Sequence, residues 1–90
     1  MHDLETLRSG GYKNAGLTQF TLRRPLATFP EEILELGDLK ELNLSYTGLS
    51  TLPATLGSDL SNLRIARFAN CNFSVFPEAL ASCPQLHTVQ

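Results

Sequence analysis

Between Leu39 and Leu56 the apolar residues fall at 39, 42, 44, 49, 52 and 56. That spacing sustains neither a helical stripe nor an alternating strand for long. Leu42-x-Leu44 alone has the two-residue period of a short strand with one face buried. Thr47-Gly48 then turns the chain, and Leu49, Leu52 and Leu56 return to the same interior along an irregular path on which Pro53 blocks a ladder hydrogen bond. A unit this short cannot bury its leucines alone, so the pattern predicts a coil that needs neighbours of its own kind.

The chain supplies those neighbours. Leu63-x-x-Ala66-x-Phe68-x-x-Cys71-x-Phe73-x-x-Phe76-Pro77-x-x-Leu80 repeats the pattern 24 residues on, from Leu42 to Ala66, with Phe and Ala replacing some of the leucines. Leu17-x-x-Phe20-x-Leu22, then Leu26-x-x-Phe29-Pro30-x-x-Ile33-x-x-Leu36, gives it 22 residues back, from Leu42 to Phe20, with one fewer loop residue before Leu26. Leu86-x-x-Val89 opens a further copy. This succession resembles the leucine-rich repeat family, whose pattern is Leu-x-x-Leu-x-Leu-x-x-Asn/Cys/Thr-x-Leu followed in many members by Leu-Pro-x-x-Leu. The likeness runs over residues 17–90.

The resemblance implies an α/β architecture: a short solenoid with a parallel β-sheet on the concave side and short helices or 3-10 turns on the convex side. Repeats are expected over 17–38, 39–62 and 63–85, with a partial one over 86–90, and residues 1–16 as an N-terminal capping helix and linker. Strands are expected near 19–22, 41–44, 65–68 and 88–90, and outer turns near 31–36, 54–60 and 78–82. Acidic residues directly after a proline, as in Pro30-Glu31-Glu32 and Pro77-Glu78, suit a first helical turn. Leu56-Gly57-Ser58-Asp59-Leu60 is one residue longer than Ile33-Leu34-Glu35-Leu36, an insertion best absorbed on the convex side. In the capping segment Asp3 stands as an N-cap before Leu4 and Leu7, and Ser9-Gly10-Gly11 stops the helix. The two leucines would cover the open apolar end of the first coil.

Composition narrows the function classes. Seven basic and nine acidic residues give a net charge of -2 in 90 residues, with a pI near 5.5. Binding to nucleic acid or to an anionic membrane needs clustered positive charge, so neither is expected. No apolar run approaches the roughly 18 residues of a spanning helix, and the N-terminus lacks the apolar core of a signal peptide. A cytoplasmic protein is expected. The sequons Asn43-Leu44-Ser45 and Asn72-Phe73-Ser74 matter only on a secreted chain.

The reactive residues are few. Gly11-x-x-x-x-Gly16 has the glycine spacing of a phosphate loop, but Leu17 stands where the phosphate-contacting lysine belongs, which argues against nucleotide binding. Cys71 takes the place of Thr47 at the turn, and Cys83 falls near the interior phase of Leu36 and Leu60, so both are expected as buried, reduced thiols. Cys83-Pro84-Gln85-Leu86-His87 has a metal-pair spacing, with the cysteine on the inside. His2 and His87 are the two histidines, and neither joins a nucleophile and an orienting acid. No catalytic group, metal or cofactor is expected, and the chain is not expected to be an enzyme.

Alternate strand residues face the concave side. That phase puts outward Gln19, Thr21, Arg23 and Arg24; Glu41, Asn43, Ser45 and Tyr46; Ile65, Arg67, Ala69 and Asn70; then Thr88 and Gln90. Tyr46 and Ile65 are large apolar or aromatic residues among polar ones, and Arg23, Arg24 and Arg67 hold three of the seven basic residues. Aromatic and arginine anchors dominate interface energetics. A protein-binding surface on Arg23, Arg24, Glu41, Asn43, Tyr46, Ile65, Arg67 and Asn70 is one reading, with a protein or peptide, acidic or extended, as ligand. Scattered surface residues whose arginine stems shield the sheet are the other.

A narrower resemblance concerns the whole protein. Met1-His2-x-Leu4-Glu5-x-Leu7-Arg8-x-Gly10, with Phe29-Pro30-x-x-Ile33, Leu42-x-Leu44-Ser45 and Phe76-Pro77-Glu78-x-Leu80-x-x-Cys83-Pro84-x-Leu86, resembles the N-terminal repeat region of bacterial proteins that continue into a protein-kinase-like domain. Of kinase signatures the chain has neither the Gly-rich loop nor His-Arg-Asp nor Asp-Phe-Gly. The resemblance implies a docking or regulatory fragment whose partner is another part of its parent chain. Leu86 and Val89 open a coil with no polar cap after it, which suits a fragment, or a face hidden in a dimer, with the fragment preferred.

Overall fold

A computed structural model describes residues 3–73 and 78–89. Phe76-Pro77, Ser74 of the second sequon, His2 and Gln90 lie outside the described residues. In chain order the elements are α1 (Leu4–Arg8), β1 (Gln19–Thr21), a 3-10 helix (Glu31–Glu35), β2 (Glu41–Asn43), α2 (Leu56–Asp59), β3 (Ile65–Arg67), α3 (Glu78–Ala81) and β4 (Thr88–Val89). The strands form one parallel sheet in the order β1-β2-β3-β4. Each connection crosses the outer side through a short helix, as parallel neighbours require. The fold is the leucine-rich repeat solenoid expected from the spacing.

Register aligns the repeated positions. Phe20 pairs with Leu42, Leu42 with Ala66 and Ala66 with Val89. The strands are three residues or fewer, shorter than expected, yet the ladder outlasts them: the Leu22 N–H donates to the Asn43 carbonyl at 3.1 Å and the Leu44 N–H to that of Arg67 at 2.8 Å. Leu22, Leu44 and Phe68 are 2%, 0% and 8% exposed and belong to one apolar cluster running from Leu4 to Cys83. The coils therefore share a continuous spine.

Each of β2, β3 and β4 begins with a doubled hydrogen bond to the preceding coil. The Thr18 carbonyl accepts from the N–H groups of Lys40 (2.7 Å) and Glu41 (3.1 Å), and Lys40 accepts from Arg64 (2.8 Å) and Ile65 (3.0 Å). Arg64 in turn accepts from His87 (2.9 Å) and Thr88 (3.1 Å). The side chains at 40, 64 and 87 are thereby brought to matching places at the leading edge of the sheet.

On the convex side the longer second repeat is absorbed by helix type at its end. The Leu36 N–H reaches back three residues to Ile33, and Cys83 three to Leu80, whereas Leu60 reaches back four to Leu56. Gly57 makes this packing close. A Cβ there would collide with the Ser82 backbone and hydroxyl on the neighbouring coil.

At the N-terminal end the Asp3 carboxylate accepts from the Thr6 N–H and hydroxyl, each at 2.9 Å, and Leu4 and Leu7 are buried. These hydrogen bonds hold the Asp3 carboxyl below its ordinary pKa, the backbone one being the larger cause. Tyr12 adds a tie that the repeat pattern does not reveal. Its ring meets Phe20 edge-on at 5.9 Å, and its hydroxyl accepts from the Asp3 N–H at 3.0 Å.

Candidate functional site

Parallel register converts the strand alternation into rows across the concave face. Gln19, Glu41, Ile65 and Thr88 form one row, and Thr21, Asn43 and Arg67 the next. Of these only Gln19 is fully exposed; the rest are half-buried by their neighbours. Past the strand ends come Arg23 and Arg24 in the first coil, Ser45 and Tyr46 in the second, and Ala69 and Asn70 in the third.

Within the rows, charge is largely satisfied internally. The Arg67 guanidinium donates to the Glu41 carboxylate at 2.8 Å across adjacent coils. Asn43 accepts the Ser45 N–H at 3.1 Å, an Asx turn that bends the chain out of β2. Ile65 lies directly between Glu41 and Thr88 in the row. Glu41, Asn43, Ile65 and Arg67 thus form one patch on β2 and β3.

Tyr46 and Asn70 occupy equivalent turns, and both hold a left-handed backbone, at φ 64° and 56°. Asparagine tolerates that region; an aromatic residue is uncommon there. Tyr46 is nonetheless 53% exposed, with the Arg23 guanidinium 4.7 Å from its ring centroid. Its N–H donates to the Ala69 carbonyl at 2.8 Å, which fixes the turn against the next coil. Arg24 is exposed at the corresponding place in the first coil, before Pro25.

Two expectations need correction. Ser45, placed outward by alternation, is buried, because the chain has already left the strand and the Ser45 hydroxyl accepts the Ala69 N–H at 3.1 Å. Cys71, expected buried, is half-buried. It does stack on Thr47: the Thr47 hydroxyl and the Cys71 thiol lie 3.5 Å apart, and both donate to the Leu44 carbonyl, at 2.7 and 3.3 Å. Both cysteines are free thiols. Cys83 is buried and its thiol pKa is raised by desolvation, so it stays protonated. Its sulfur faces the Ala79 carbonyl at 3.7 Å, while His87 Nδ1 lies 2.9 Å from the Thr88 hydroxyl.

One further feature escapes a reading based on strand alternation. An open groove of about 320 Å³ runs along the leading edge of the sheet, lined by Lys40, Arg64 and His87 with Glu41 and Ile65 beside them. The signal lies in the repeat phase, since a basic or imidazole side chain directly precedes each of β2, β3 and β4. Among the described residues no group of three or more His, Cys, Asp or Glu side chains could hold a metal ion, and no helix is long and apolar enough to cross a membrane.

No family model and no curated protein matches the chain. Among solved structures it is similar to the leucine-rich repeat domain of the type III effector XopL, at 24% identity and a TM-score of 0.73 over 92% of this chain. The match spans 28% of the length of that chain. This likeness establishes the fold.

Proposed function

We propose that the chain is a protein–protein interaction module, without catalytic activity of its own, that engages a protein or peptide through the concave face. The observation that carries this reading is Tyr46. Holding a non-glycine residue in the left-handed region costs on the order of 1–2 kcal/mol, and here the strained residue is a large ring left half in solvent. The turn itself is demanded by the repeat, as Asn70 shows in the next coil; what is unusual is a large exposed ring kept there at that cost, and exposed aromatic and arginine side chains are the usual anchors of an interface. Arg23, Arg24 and Tyr46 form one end of the proposed surface. Glu41, Asn43, Ile65 and Arg67 form its floor, and Asn70 its far rim. Two free thiols suit a reducing, cytoplasmic setting.

The test is capture of partners by the wild-type chain and by the triple variant Y46A/I65A/R67A, compared by mass spectrometry. The proposal expects the proteins enriched by wild type to be lost from the triple variant, with folding verified by circular dichroism. Undiminished capture overturns it.

A second reading makes the partner another domain of a longer parent, as the resemblance to the repeat region of bacterial kinase-like proteins implies. Catalysis would then reside in sequence outside these residues. A stop codon directly after Gln90 in the gene overturns that reading.

A further inference from the structure

We propose that the ligand is an extended peptide with acidic residues at alternate positions, and that its carboxylates are held at the leading edge of the sheet by Lys40 and Arg64, with His87 completing the row. This rests on the interaction-module reading and assigns charge recognition to residues outside the concave floor.

Two of the three concave arginines are already engaged. Arg67 is tied to Glu41 at 2.8 Å, and Arg23 lies against the Tyr46 ring. An incoming carboxylate at Arg67 would have to displace an existing bidentate-capable partner. Lys40 and Arg64 are different: both are exposed, and among the described residues neither has an ion-pair partner. Among the described residues the one carboxylate lining their groove is that of Glu41, whose charge Arg67 neutralises. The groove therefore carries net positive charge in a chain whose overall charge is -2.

Spacing supports a peptide rather than a single ion. Lys40, Arg64 and His87 stand on consecutive strands, and neighbouring strands lie roughly 4.8 Å apart, so the row spans about 10 Å. An extended peptide advances about 3.3 Å per residue, with alternate side chains on one side. Acids at positions i and i+2 are thus about 6.6 Å apart and fit within the row. Ile65 gives the groove an apolar wall for the intervening residue. Two lysine or arginine side chains are too few for a nucleic-acid backbone, whose binding depends on neutralising many phosphates.

The experiment uses the whole chain, 15N-labelled, titrated with the peptide Gly-Glu-Ser-Glu-Ser-Glu-Gly and with its Gln-for-Glu counterpart. The acidic peptide should shift the amides of Lys40, Glu41, Arg64, Ile65 and Thr88, with affinity in the range of about 0.1–1 mM and weakened by salt. The variant K40E/R64E should weaken binding at least about tenfold, whereas E31Q, on the convex side, should change it less than about twofold. K40Q/R64Q, with smaller charge change, replaces the reversal if K40E/R64E lowers the melting temperature. Unchanged affinity in the charge variants, equal binding of the Gln peptide, absence of shifts at about 5 mM peptide, or displacement of the peptide by oligothymidylate each overturns the proposal. Loss of partner capture in Y46A/I65A/R67A alongside unchanged peptide binding in K40E/R64E would overturn the leading-edge site alone. Failure of the interaction-module reading would instead appear as undiminished capture by that triple variant.

Discussion

Tyr46 and Asn70 meet the same backbone demand with different side chains, and the difference predicts a trade of stability against binding. Replacing Tyr46 by the asparagine of the next coil removes strain worth about 1–2 kcal/mol and loses an exposed cation–π contact worth about 0.5–1 kcal/mol. Y46N should therefore raise stability by up to about 1 kcal/mol, read as a higher urea midpoint at unchanged slope, while weakening partner capture. A lower midpoint would mean that the ring packs more than it strains. Asp3 gives a pH prediction of definite sign. Its carboxyl is depressed in the folded chain, so its contribution is present above the unfolded carboxyl pKa and is lost as pH falls through the folded value. D3A should lower the melting temperature at neutral pH, and should show a smaller further loss than wild type on titration to acid. Identical acid profiles would remove Asp3 as the cause.

At the scale of elements, the outer helices show how coils of unequal length stack. The additional residue of the second repeat enters as a four-residue closing bond at Leu60 where the other coils close over three, so Leu36, Leu60 and Cys83 all reach the interior. Two glycines on this side should respond oppositely to alanine. Gly57 faces Ser82 too closely for a Cβ, so G57A should destabilise by about 1–3 kcal/mol through overpacking. Gly37 has an open neighbour, the Asp59 carbonyl at 3.8 Å from an added Cβ. G37A should stabilise by about 0.4–1 kcal/mol by restricting the unfolded chain. Thermal melts of the two variants check both, and equal shifts would contradict the close approach at Gly57.

For the whole molecule, stability depends on contacts between adjacent coils, since no repeat has a core of its own. Leu44 is the middle of the spine and fully buried. L44A should cost about 2–5 kcal/mol, a large part of the stability of a domain this size. Denaturation followed by circular dichroism should show the loss as a shifted midpoint in a single transition, if the coils unfold together. Two separate transitions would indicate that the spine is not continuous.

How much of this was legible in the sequence follows from what each feature depends on. The repeat spacing determined that coils stack side by side and that Leu22, Leu44 and Phe68 are buried, because a period of hydrophobic positions specifies which side of each coil must leave water; the parallel sheet and the fold class followed from the resemblance that this spacing carries. It did not reveal that Ser45 turns inward, that Glu41 is claimed by Arg67, or that Arg23 lies on Tyr46. Those pairings join residues of different coils, and they are selected by backbone turns and rotamers that exist only after the coils have stacked. The row of Lys40, Arg64 and His87 has the same origin: its members are 24 and 23 residues apart along the chain, and only the parallel register brings them side by side. The Tyr12–Phe20 contact is close in sequence and depends instead on how the capping segment folds back on the first coil. Sequence periodicity thus determined most of what is buried, and tertiary structure decided which exposed charges are already spent on one another and which face outward.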